Sequence, residues 1–118
     1  MMKKFALGLV AAAMIAGTAM ANPMQSRLDN TVTLTAADGK VTKVLYNGDG
    51  TMAITNPDGS KGTGKWAMKD GKLCVTLDQG PTAGQEACNP LVERKVGDTW
   101  DAKLADGSTA KAALVAGR

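Results

Sequence analysis

The chain has 118 residues, with 14 lysines and arginines against 11 acids, no histidine, and aromatic residues at only 3%. That length holds one domain at most. The absence of histidine excludes a Ser-His-Asp triad, a Cys-His dyad and any histidine-ligated metal. No apolar run beyond residue 21 is long enough to cross a bilayer.

The first 21 residues read as an address. Met1-Met2-Lys3-Lys4 is a short basic region, residues 5–17 are apolar and uncharged, and Ala19 and Ala21 occupy the small positions of a small-x-small site. This order is that of a Sec signal peptide and predicts cleavage after Ala21. The apolar core falls short of the roughly 20 residues that an anchor helix needs. The residue after the cut is Asn22, not cysteine, so no lipid anchor is expected. The expectation is a soluble periplasmic or secreted protein of a Gram-negative-type bacterium, with no stable membrane insertion after cleavage. Loss of Lys3 and Lys4 lowers the excess of basic over acidic residues from +3 to +1. A near-neutral domain with interspersed signs is a poor nucleic-acid binder, so nucleic acid is not an expected partner.

The mature chain divides into a lead at 22–29, with no periodicity and expected to be flexible, and one small β domain at 30–118. Asp-Gly pairs recur at Asp38-Gly39, Asp49-Gly50, Asp58-Gly59, Asp70-Gly71 and Asp106-Gly107. Glycine supplies the positive φ of tight hairpin turns, and the spacing is that of short antiparallel strands. Between the turns, apolar residues alternate with polar ones. Val32, Leu34 and Ala36 share a face in the first strand. Val44 and Tyr46 do so in the second (41–47), and Met52 and Ile54 mark the third. Trp66 and Met68 alternate with Lys65, Ala67 and Lys69, Leu73, Val75 and Leu77 line the fifth strand, and a sixth is expected over 85–95 with Pro90 at a bulge or an edge. Trp100, Ala102 and Leu104 mark the seventh. The Ala-rich stretch at 110–116 fits a strand or a short helix and is read as a strand. The fold expected is an all-β, antiparallel up-and-down meander of seven or eight strands, barrel-like or two-layer, preceded by a signal-peptide helix. Barrel closure removes exposed edges. Trp66 and Trp100 are expected to point inward, because each is flanked by a charged residue, Lys65 and Asp101, that goes to water on the opposite face.

Cys74 and Cys88 lie equidistant from Pro81, at the tip of a hairpin. An even cysteine count in an exported chain favours a disulfide between facing strands. A redox-active pair, which usually has Cys-x-x-Cys spacing at a helix start, and free thiols are the rival readings. The expected Cα separation is roughly 4.4–6.8 Å.

Two stretches imitate chemistry. Residues 59–65 fit the first seven places of a phosphate-binding loop, but Trp66 stands where a magnesium-holding Ser or Thr belongs, and a strand follows instead of a helix. Residues 47–58 place Gly48 and Gly50 at the second and fourth positions of a would-be calcium loop, with Asp58 where the glutamate belongs. Both are read as turns. Ser60-Lys61 and Ser108 sit beside turn glycines. With no visible catalytic constellation the chain is read as not an enzyme, and no cofactor or metal is expected. A carboxylate site assembled only in space is the enzymatic rival. Lys65, Lys69 and Lys72 are a possible basic binding surface on the outer face near Cys74, with Trp66 and Trp100 as possible ligand platforms. The plainer readings are a solvated lysine face and two packing residues.

The run Gly64-Lys65-Trp66-Ala67-Met68-Lys69-Asp70-Gly71-Lys72-Leu73-Cys74, followed by Cys88, resembles the Gly-x-Trp…Asp-Gly-x-Leu-Cys…Cys pattern of small exported β-proteins of proteobacteria. The resemblance implies a disulfide-bridged periplasmic β domain and carries no catalytic residue. The function expected is that of a non-enzymatic binding or structural module of the cell envelope, whose partner is a protein or a small envelope ligand. The alternative is a small periplasmic inhibitor acting through residues 22–29, by analogy with the architecture of metalloprotease inhibitors.

Overall fold

Alternation of apolar and polar residues drives eight strands: β1 (Thr31–Thr35), β2 (Val41–Tyr46), β3 (Thr51–Thr55), β4 (Lys61–Lys69), β5 (Lys72–Leu77), β6 (Glu86–Pro90), β7 (Thr99–Lys103) and β8 (Thr109–Val115). They are seen in a computed structural model that describes residues 22–118. The expected signal segment lies outside the described residues. All eight strands form one antiparallel sheet in the order β6-β5-β4-β3-β2-β1-β8-β7. This is an up-and-down meander rolled into a nearly closed barrel, which settles the choice between barrel and two layers.

The turns explain the meander. In four of them the Asp-Gly glycine alone takes positive φ, at Gly39, Gly50, Gly59 and Gly107. The flanking residues then close a three-residue loop, as where Asn56 N–H donates to Ser60 O (2.8 Å) and Gly59 N–H to Asn56 O (2.9 Å). Asp58 Oδ1 ties the loop by accepting from Ser60 N and Oγ. Asp49 with Thr51 and Asp106 with Ser108 repeat this arrangement. The β4–β5 turn differs. Asp70 (φ 51°) and Gly71 (φ 76°) both enter the left-handed region, the signature of a two-residue hairpin. The carboxylates of the apparent calcium loop are thus engaged in turns. The apparent phosphate loop is the β3–β4 turn running into β4, whose glycines face inward. A Cβ on Gly64 would lie 2.8 Å from Thr76 O, so the strand crossing there requires glycine.

Every inward position follows the two-residue period, and the buried cluster joins Val32, Val44, Tyr46, Met52, Ile54, Leu73, Ala112 and Leu114. Cys74 and Cys88 face each other across β5 and β6 and are bonded, with Cα atoms 4.0 Å apart, somewhat below the expected range. The bridge lies on the outer face and closes a loop worth about 3 kcal/mol of chain entropy.

Two expectations need correction. The sixth strand does not run to residue 95. It ends at Pro90, which has no N–H to continue a ladder and stands at the end of an edge strand, and residues 91–98 then cross the base of the barrel. The lead at 22–29 is not a loose segment. Gln25–Asp29 forms a one-turn helix, α1, and Met24 (2% exposed) is part of the core. The helix is held by Arg118, whose guanidinium donates to Leu28 O, to Tyr46 O (2.7 Å) and to Asn47 Oδ1 (2.6 Å).

Candidate ligand-binding site

Inside the barrel is a cavity of about 350 Å³. Its origin is compositional. Eight strands enclose an interior that side chains can just fill or that can hold one small ligand. Here several inward positions are small, with Ala87, Ala102, Ala110 and Ala112 on the wall. The larger residues gather towards one end. The middle of the wall is apolar, formed by Val44, Met52, Ile54, Leu73 and Val75. At the end bearing the β1–β2, β3–β4, β5–β6 and β7–β8 turns, the cavity reaches exposed Pro81, Gln85 and Asp106 and is open.

The opposite end is plugged. α1 and residues 91–98 cover it, and Arg27, Tyr46 and Trp100 form the floor. Arg27 is 3% exposed, and its Nη1 donates to Pro23 O (3.3 Å) and Val92 O (3.0 Å). Its guanidinium carbon lies 5.2 Å from the centre of the Trp100 ring, over which Arg94 also stacks at 4.5 Å. Burial pulls the Arg27 pKa down, opposed by Tyr46 and reinforced by Arg94. Burial also pushes the Tyr46 phenol up to about 12, with Arg27 pulling the other way. Tyr46 meets the edge of Trp66 at a ring separation of 6.4 Å, and the Trp66 indole N–H donates to Asn47 O (2.8 Å).

The seam between β6 and β7 is part of the cavity wall. No strand ladder joins these two edges. Instead the Asn89 side chain imitates a peptide group, with Nδ2 donating to Lys103 O (3.0 Å) and Oδ1 accepting from Lys103 N–H (2.9 Å).

The five residues singled out in the sequence do not make one surface. Lys65, Lys69 and Lys72 share the outer face of β4 and β5, as their alternation requires. Lys65 pairs there with Asp78 (3.3 Å) and Lys69 with Glu86. Trp66 and Trp100 point the other way, packed half-buried against the core. Only Trp100 borders the cavity. Cys74, Cys88 and Glu86 lie close together, but both sulfurs are spent in the disulfide and neither is a thiolate ligand. Sequence reasoning passed over Arg27 and the Tyr46 hydroxyl. The available signal was Met24 and Leu28, four apart on one helix face, which placed Arg27 beside an apolar stripe.

The chain matches no protein-family model, and no curated protein and no solved structure is significantly similar to it.

Proposed function

We propose that the chain is an exported, non-enzymatic binding module of the bacterial cell envelope that holds a small apolar ligand inside its barrel. The observation that carries this reading is the interior itself: an apolar cavity of about 350 Å³, open at one end and plugged at the other. Its size falls in the lower part of the range for small-molecule sites, roughly 300–1,000 Å³. Export is read from the pattern of residues 1–21, and the disulfide is in keeping with an oxidising compartment. The inhibitor alternative asks for a protruding N-terminal segment. Residues 24–28 instead lie under the barrel, with Met24 and Arg27 buried, so that reading loses its instrument.

A small neutral fluorescent probe, 1-aminonaphthalene, tests the proposal. It is expected to bind the folded protein in one site with enhanced, blue-shifted emission. Ala102 is only half-buried and lines the cavity wall, so Ala102→Phe should fill the interior and abolish the signal while leaving the folded far-ultraviolet spectrum intact. Probe binding that persists unchanged in this folded variant would refute an interior site.

A further inference from the structure

The floor of the cavity has a property that an apolar ligand alone leaves unexplained. Arg27 is almost wholly buried, yet no carboxylate pairs with it among the described residues. The ion pairs there are Lys65–Asp78, Lys69–Glu86 and Lys111–Asp101, all on exposed side chains away from the cavity. A guanidinium has five N–H donors. Both protein acceptors of Arg27 are taken by Nη1, so Nη2 and Nε have no acceptor among the described residues. A second guanidinium, that of Arg94, stacks on the same Trp100 ring and deepens the positive field. Burying a cation without a counter-charge is costly, and a like charge beside it adds to the cost. Tyr46, close enough to Arg27 for each to shift the other's pKa, also lines the floor, is only 8% exposed and makes no side-chain hydrogen bond among the described residues. The phenol stays protonated well above neutral pH and is therefore a donor. The floor thus offers N–H and O–H donors with a positive charge and no acid, beneath an apolar wall.

We infer that the ligand is a single-chain amphiphile with a carboxylate head, seated head-down on Arg27 and Tyr46 with its hydrocarbon chain in the cavity; this rests on the reading of the barrel interior as a binding site. A carboxylate has two oxygens in one plane. It can accept from the free side of the guanidinium fork and from the phenol together, and charge-assisted bonds of this kind are about twice as strong as neutral ones. A neutral head leaves the cation uncompensated, and a cationic head adds a third like charge. A dianionic phosphate must shed far more water to enter an apolar shaft. Allowing ~30 Å³ per non-hydrogen group, the share of one molecule in liquid water, the cavity takes about a dozen groups, the size of a ten-carbon acid.

Three probes of one chain length test the inference on the full folded protein: decanoic acid, decanol and decyltrimethylammonium, each titrated calorimetrically at neutral pH. The expected result is decanoate binding at least about tenfold tighter than decanol, with the cation weakest. In Arg27→Gln, decanoate should fall to the affinity of decanol while decanol itself is unchanged. Arg27 also braces α1, so Tyr46→Phe serves as a second variant that keeps the ring and the plug. It should weaken decanoate several-fold and leave decanol untouched. Decanol binding as tightly as decanoate, or both variants holding decanoate at full affinity, would overturn the head-group assignment and leave the apolar site standing. Failure of all three probes to bind would overturn the interior site and this inference together.

Discussion

Tyr46 shows how one residue can belong to the packed core and line a cavity as well. It is the last residue of β2 and the only tyrosine in the chain, and its ring meets Trp66 edge to face while the residue also lines the cavity. Burial raises its pKa to about 12, so the folded state favours the neutral phenol. An unfolded tyrosine ionises near 10. The stabilisation is therefore fully present below pH 10 or so and is lost as pH rises from there through about 12, amounting to about 2–3 kcal/mol. A spectrophotometric titration has no other tyrosine to confuse it. It should show tyrosinate appearing near pH 12 in the folded protein, or abruptly at lower pH together with unfolding. A midpoint near 10 in a chain that stays folded would place the ring in water.

At the scale of elements, closure depends on a side chain. β6 and β7 are the two sheet edges, and exposed edges invite pairing with other chains. Both edges are short, and the Asn89 amide bridges them with two hydrogen bonds to Lys103. Asn89→Ala removes both and leaves Lys103 N–H and C=O without this partner. The expected cost is about 1–3 kcal/mol, with faster hydrogen exchange at the Lys103 amide than at the amides of β2 and β3. Unchanged exchange at Lys103 would mean that the seam is held by something else. At the other end of the barrel, α1 is too short to be stable alone. It persists because Met24 is buried and because the carbonyls of Pro23 and Leu28 receive guanidinium bonds from Arg27 and Arg118.

At the scale of the whole molecule, the charge pattern sets the response to pH. With no histidine in the chain, no side chain with an ordinary pKa titrates between about pH 5 and 8, and stability there should be flat. The acid limb is different. Hydrogen bonds from the side chain and amide of Thr51, Ser60 and Ser108 hold Asp49, Asp58 and Asp106 below the usual carboxylate range, and Thr63 with Lys65 does the same for Asp78. A depressed folded pKa contributes stability that is present above the unfolded value and lost as pH falls through the folded one. The melting temperature should therefore hold from neutral pH down to about 5 and decline below about 4. A triple Asp49→Asn, Asp58→Asn, Asp106→Asn variant should show a shallower decline, since the amide oxygen can still tie each turn but no longer titrates. An equally steep acid limb in that variant would assign the loss to other carboxylates.

The strands, their inward faces, the turns and the disulfide were legible in the residues, because each rests on local rules. Period-2 alternation decides a face, Asp-Gly supplies a positive φ, and two cysteines equidistant from Pro81 meet across a hairpin. The β4 glycines were visible but misleading as a motif, since their reason is the approach of Thr76 O from a neighbouring strand. The cavity was not legible. An alanine at an inward position looks the same in a filled core and in a hollow one, and only the closing of eight strands determines whether Ala102, Ala110 and Ala112 meet side chains or space. The same holds for Arg27. Its neighbours in the chain mark a polar lead, whereas its neighbours in space are Trp100, Tyr46, Arg94 and the carbonyl of Val92, which come from distant strands and a loop at the base. Burial and charge compensation are properties of the assembled barrel, and they place an ordinary arginine on the floor of a cavity.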